Sequence, residues 1–312
     1  MLRADFANPW VRSVDEAGRP APAWLILLLA TVLVTAVVLG GPLVATSAIS
    51  AVAPLLGELA EDWSRAASAG VFYLLVFAPL LVLPFIAARV EQRRIWLAGR
   101  KPVAAGVSGL LMGCGGLAAS VAIAAAAGAI MPGQVPATPL VALTAGVAVI
   151  GFQTTAEEVC FRGWLQPVLC ARWGPWAGGA VTAILFAGLH MIGGGVTPLT
   201  ALNLLLGGLF FGLLALRTGG LWASVTAHLG WNWSEAGGLG LEPDPGVGPL
   251  GTVLDYDLTG PVLWSGGEAR LNGSLATTLV LVVLTAGLLV APAFNRRPGE
   301  PGRSGSASSG TP

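Results

Sequence analysis

Apolar residues in this 312-residue chain fall in blocks broken by short polar or Gly/Pro-containing stretches. The blocks run to about twenty residues, and a hydrocarbon layer ~30 Å thick is crossed by ~20 helical residues, each adding ~1.5 Å. With 54% hydrophobic and only 10% charged residues, the chain carries more apolar surface than a soluble domain can hide. The fold class this predicts is all-α: a polytopic integral membrane bundle of about eight transmembrane helices. The spans are read as Trp24–Val44, Gly70–Ala88, Val103–Ile130, Leu140–Leu165, Trp176–Ile192, Pro198–Leu216, Gly219–Glu235 and Leu275–Phe294. Gly219–Glu235 is short and contains polar side chains.

Basic residues near span ends collect on the cytoplasmic side of a membrane protein. With eight spans, Arg3, Arg12, Arg19, Arg89, Arg93, Arg94, Arg100, Lys101, Arg172, Arg217, Arg296, Arg297 and Arg303 share one side. Only Arg65 and Arg270 fall opposite. Both termini are therefore predicted to be cytoplasmic, in a cell (plasma) membrane. The zero net charge and the lack of any Lys/Arg run argue against a nucleic-acid partner.

Three regions follow from composition. Residues 1–21 form a flexible, Pro-containing cytoplasmic segment, 22–294 a single membrane-embedded domain, and 295–312 a disordered Gly/Ser/Pro tail. The first apolar stretch is too long for a signal-peptide core and lacks an Ala-x-Ala site, so it reads as a retained anchor. Cys114, Cys160 and Cys170 show no C-x-x-C spacing and read as reduced structural thiols. Gly237–Gly273, with Glu242, Asp244, Asp255, Asp257 and Glu268, reads as an outward-facing loop. Glycines such as Gly106, Gly113, Gly115 and Gly116 allow close helix packing in lipid. No repeat period suggests an inverted-repeat transporter.

Ionisable groups inside hydrocarbon cost at least ~2.5–3.5 kcal/mol, so those that persist usually face a cavity or a partner. Away from span ends they are Glu157, Glu158, Arg162, His190 and His228, which include both histidines of the protein. Glu158 and Arg162 stand one helical turn apart, a spacing that suits an ion pair. Glu157 lies ~100° around the helix, has no such partner, and suits a general base. His228 and Asn232 share a helix face four residues apart and could hydrogen-bond a developing oxyanion. At ~1.5 Å per residue, Glu157, His228 and His190 lie ~15, ~14 and ~21 Å from the cytoplasmic ends of their spans. Singly, each has a structural reading as an ion-pair staple or interhelical hydrogen bonder. Their convergence at similar depths points to one functional site.

The three motifs Glu157-Glu158-x-x-x-Arg162, Phe186-x-x-x-His190 and His228-x-x-x-Asn232 occur in that order on consecutive apolar segments. They resemble the CPBP family, the CAAX proteases and bacteriocin-processing enzymes also called Abi, over about Gln153–Trp233. The resemblance implies an eight-helix bundle with a conical cavity open to the cytosol and to lateral lipid. It implies an intramembrane endopeptidase that cuts near the membrane-anchored end of a protein or peptide substrate. By the same resemblance Glu157 and His190 activate the attacking water, and His228 and Asn232 hold the oxyanion. Glu158 with Arg162 braces the helix, and Phe186 shapes the cavity wall. Peptide hydrolysis needs a base, an acid and oxyanion donors, and this set supplies each.

Four other readings compete. No cofactor is favoured, but Glu157, His190 and His228 could converge on zinc with an open fourth position, although H-E-x-x-H is absent. Gly106-Val107-Ser108-Gly109 matches a serine-protease G-x-S-G with His228 as base, yet Ser108 is shallow and this leaves both glutamates idle. A proton-coupled transporter would spread such groups along a path instead of gathering them at one depth. A non-catalytic immunity or peptide-binding protein would keep the fold without cleavage. The Gly-, Ala- and Leu-rich composition suggests a bacterial source, where a peptide or membrane protein is favoured over a prenylated substrate.

Overall fold

A computed structural model of the protein describes residues 9–99, 101–133, 138–193, 196–241 and 250–290. The architecture is all-α apart from one two-stranded ribbon. In order, the elements are α1 (Pro9–Asp15), α2 (Ala23–Leu56), α3 (Glu61–Val90), α4 (Pro102–Ala126), β1 (Ile130–Pro132), α5 (Leu140–Glu158) and a π-helical segment Val159–Leu165. There follow α6 (Gln166–His190), α7 (Pro198–Thr218), α8 (Trp222–Trp233), a second π segment Ser234–Gly238, β2 (Tyr256–Leu258), α9 (Val262–Ser265), a 3-10 segment Gly267–Gly273, and α10 (Leu275–Val290).

Six helical runs among the described residues are long and apolar enough to cross a membrane, where the sequence suggests eight. The difference has two physical sources. The expected spans Leu140–Leu165 and Trp176–Ile192, but for the last two residues of the second, fall within one 51-residue run, Leu140–His190, which is kinked at Gly174 by a left-handed backbone (φ 84°, ψ 160°). The expected span Gly219–Glu235 is α8, only 12 residues long and continued by π turns. Large apolar side chains such as Leu43, Val103, Leu140 and Val283 point outward, the inverse of a soluble surface and the pattern of a multi-pass membrane protein.

One difference from the sequence reading lies at the N-terminus. The segment 1–21, expected to be flexible, carries α1. Its Trp10 and Val11 are buried against Val159, Cys170, Ala215 and Leu221, because an indole and a valine there have an apolar seat at the end of the bundle. Residues 1–8, the tail 295–312, Glu242, Asp244, Arg100 and the last residues of the span expected at Leu275–Phe294 lie outside the described residues.

The glycine pattern decides where α8 sits. A methyl on Gly109 or Gly113 would lie 2.1 Å from the carbonyl oxygen of Ala223 or Ala227, respectively. The two backbones therefore touch, as small residues permit in lipid. Thr226 Oγ1 donates across this seam to Gly106 O at 2.7 Å. The long loop after α8 is tied back by the antiparallel ribbon, with Ile130 opposite Leu258 and Pro132 opposite Tyr256.

Candidate active site

Glu157 and Glu158 are the last residues of α5, and the chain passes directly into seven π-helical residues, Val159–Leu165. Such segments recur at functional sites, and this one places Arg162 beside Glu158. Arg162 Nη1 donates to Glu158 Oε1 at 2.9 Å and Nη2 to the carbonyl of Gly208 on α7 at 3.0 Å. Both side chains of the pair are fully buried, so each offsets the desolvation of the other. The guanidinium also stacks over the Phe186 ring, 4.4 Å from its centroid, and is flanked by Phe161 and Phe211. One turn on, Gln166 Nε2 donates to Gly212 O at 3.1 Å, which extends this clamp between the π segment and α7.

Glu158 does more than neutralise Arg162. The same Oε1 lies 3.0 Å from His228 Nδ1, across 70 residues of sequence. The geometry has Nδ1–H donating to the carboxylate, which directs Nε2 of His228 toward Glu157. The His228 ring is held flat against Phe211, with centroids 4.6 Å apart and an interplanar angle of 21°.

His190 ends α6 and is oriented in the same way. Its Nδ1 lies 2.9 Å from the carbonyl oxygen of Phe186, to which it donates, so its Nε2 also faces Glu157. The Phe186 ring packs on the imidazole at 4.4 Å and edge-on against Phe161 at 5.2 Å. Phe186 thus covers Arg162, orients His190 and lines the cavity.

Glu157 is 5% exposed. Its Oε1 accepts from Gln153 Nε2 at 3.0 Å, while Oε2 has no hydrogen-bond partner among the described residues. Oε2 stands 3.8 Å from His228 Nε2 and 4.0 Å from His190 Nε2. These separations are too long for direct hydrogen bonds and suit a water lying between the three atoms. They exceed by roughly half an ångström the ~3.3 Å at which the ~2.0–2.1 Å bonds of a tetrahedral zinc set two ligands. Among the described residues no three His, Cys, Asp or Glu side chains are arranged to hold a metal ion.

Glu157, His190, His228 and Asn232 line one cavity of about 700 Å³. It is lined by the middle of α2 and α3, the last turns of α5, the C-terminal parts of α6 and α8, the N-terminal parts of α7 and α10, and Glu268, Ala269 and Asn272 of the 3-10 segment. It therefore reaches from the middle of the bundle toward the end that carries Glu268. At the opposite end the Arg162–Glu158 pair, Phe161 and Phe211 form a floor, beneath which Trp10 packs. Ser108 is not among the lining residues. It lies on α4 and donates to Ala105 O at 2.9 Å, so the serine-protease arrangement is not assembled.

Sequence reasoning did not single out three contributors. Gln153 was legible only as the residue one turn before Glu157. Phe211 carries no motif, and Tyr73, on α3, enters the cavity wall from far away in the chain.

Residues 136–234 match the family model described as type II CAAX prenyl endopeptidase Rce1-like. The match contains all three motifs and ends just after Asn232, so this segment is Rce1-like in sequence, as the motifs indicate. No curated protein and no solved structure matches the chain.

Proposed function

We propose that this multi-pass membrane protein is an intramembrane endopeptidase that hydrolyses a peptide bond of a membrane-anchored protein or peptide, with Glu157 as the base. The observation that carries this reading is the unpartnered Glu157 Oε2, buried about 4 Å from two imidazole Nε2 atoms. The match to an endopeptidase family over the same residues supports it.

In this reading a water between Glu157 Oε2 and His190 Nε2 attacks the substrate carbonyl carbon as its proton passes to Glu157. Gln153 keeps Oε1 occupied, so the proton goes to Oε2. The C–N bond then breaks, and the same proton is delivered to the leaving amine nitrogen. His228 in its protonated form presents Nε2–H to the oxyanion, with Asn232 as second donor one turn along α8. Glu158 holds the Nδ1–H of His228 at 3.0 Å, which keeps Nε2 aimed at the reacting carbonyl. Glu158 and Arg162 touch no substrate in this scheme and act by positioning His228. The scheme uses no metal; donor separations of 3.8–4.0 Å, wider than a tetrahedral zinc sets, support that choice over the zinc-dependent alternative.

The chain is further proposed to cross the bilayer eight times with both termini cytoplasmic. The 51-residue run Leu140–His190 would extend ~77 Å if straight, more than twice the hydrocarbon thickness, and so crosses twice with Gly174 at the turn. With α8 and its π continuation as a further crossing, the basic residues share one side. On this topology the cavity runs from mid-membrane at Glu157 and His228 toward Glu268 on the side away from the cytoplasm, whereas the CPBP resemblance implies an opening to the cytosol. Among its described lining residues there is no Lys or Arg to hold a free C-terminal carboxylate, which supports cleavage at an internal bond.

The test is cleavage of a quenched membrane-peptide library by purified protein and by Glu157→Ala, His190→Ala and His228→Ala. Cleavage by the wild type and loss in all three variants is expected. A wild type that cuts nothing, or variants that cut equally well, removes the proposal.

A further inference from the structure

Tyr73 is one of two tyrosines in the protein and sits near the middle of α3, 4% exposed. Its ring is fixed by Phe77, with centroids 5.5 Å apart, and edge-on by Phe72 at 6.0 Å. It packs beside Val149 and Ile150 of α5 and Ala236 of the second π segment. Its hydroxyl has no hydrogen-bond partner among the described residues, although Tyr73 lines the same cavity as Glu157 and lies within electrostatic reach of that carboxylate.

Three other hydroxyl side chains line the cavity, and each is engaged. Thr46 donates to Pro42 O, Thr200 bonds Thr197 in a capping box, and Thr277 accepts from Ser274. Tyr73 is the one among these four whose hydroxyl has no hydrogen-bond partner among the described residues. A buried hydroxyl left unpaired is costly, and one that faces a cavity is satisfied by whatever fills it. A peptide drawn from lipid into this cavity has the complementary need, because its backbone carbonyls lose their water and must find donors.

The placement selects which carbonyl. Glu157 on α5 stands between α3, with Tyr73, and α8, with His228 and Asn232. A substrate lying extended across Glu157 meets the oxyanion donors on its α8 side and Tyr73 on its α3 side. We propose that the Tyr73 hydroxyl donates a hydrogen bond to a backbone carbonyl oxygen of the bound peptide next to the scissile bond, so that Tyr73 sets the register of the substrate. This role rests on the endopeptidase reading above.

Tyr73→Phe removes the oxygen and leaves the ring packing in place. Steady-state kinetics on a cleaved membrane peptide should show KM raised about tenfold with kcat within about twofold of wild type, the pattern of lost uniform binding. The thermal unfolding midpoint in detergent should be unchanged or slightly raised, because no protein partner is lost. An unchanged KM overturns the role of Tyr73 and leaves the endopeptidase reading standing. So does a fall in the unfolding midpoint together with equal losses in kcat and kcat/KM, which marks a structural tyrosine. A wild type that cleaves no peptide overturns both.

Discussion

His228 Nδ1 lies 3.0 Å from Glu158 Oε1, the oxygen that also accepts from Arg162 at 2.9 Å. The second glutamate of the pair therefore holds a histidine on another helix as well as an arginine on its own. The two adjacent carboxylates, alike in sequence, thereby have different surroundings. Each keeps a buried Oε2 without a hydrogen-bond partner among the described residues, but Glu157 lines the cavity and its Oε2 stands about 4 Å from two imidazoles, whereas Glu158 is not among the lining residues.

Conservative amides at these two positions should separate chemistry from stability. Glu157→Gln should abolish cleavage, a loss of about 10²–10⁴-fold or more, with little change in thermal unfolding, because the affected Oε2 has no partner. Glu158→Gln leaves the buried Arg162 without its counter-charge and should destabilise on the order of 3 kcal/mol, with activity falling alongside. Thermal unfolding in detergent, run beside the peptide assay, checks both. Equal unfolding midpoints for the two variants would contradict the division of roles.

Gln153 holds Glu157 Oε1 at 3.0 Å and contributes through orientation alone. Gln153→Leu should lower kcat by about 10–100-fold, the effect of losing an outer partner of a reactive group, with a near-native unfolding midpoint. Gln153→Glu should lose more, because it sets a second carboxylate against Glu157. The ratio of kcat between the two variants is the measurement.

Metal removal should have no effect. With Glu157 Oε2 3.8–4.0 Å from the imidazole nitrogens, cleavage should survive prolonged chelation, and elemental analysis of active protein should find no stoichiometric zinc. Activity lost on chelation and restored by zinc would reverse the assignment and require these donors to close up by roughly half an ångström.

At Gly109 and Gly113 the seam between α4 and α8 has no room for a side chain. Gly113→Val drives a branched side chain into the carbonyl of Ala227, which a methyl already meets at 2.1 Å. It should cost about 1–3 kcal/mol or more and reduce activity by displacing His228, whereas Gly115→Val, which meets nothing within 4 Å, should be close to neutral. Unfolding midpoints and cleavage rates of the two variants give the comparison.

The topology can be checked with thiols. Glu268 at the cavity rim and Arg94 at the other end of the bundle are both exposed. In intact cells a membrane-impermeant maleimide should label Glu268→Cys readily and Arg94→Cys only after permeabilisation. The native Cys160 and Cys170 are buried and should stay unlabelled.

Local composition and spacing are enough to fix several properties of this chain. Blocks of about twenty apolar residues require helices in lipid, since a backbone there must satisfy its own hydrogen bonds. The i, i+4 spacing brings Glu158 to Arg162, and the gathering of all buried ionisable groups in three segments marks where the site is. Other relations arise only where two helices meet. Nothing local distinguishes Glu157 from Glu158 as partner of His228, because the choice is made by the angle at which α8, drawn in by Gly109 and Gly113, meets the π turn after α5. Tyr73 and Phe211 carry no motif, and their places at the cavity come from the packing of α3 and α7. The number of membrane-length helices likewise lay beyond a hydropathy reading, since a left-handed backbone at Gly174 and a 12-residue α8 are matters of conformation.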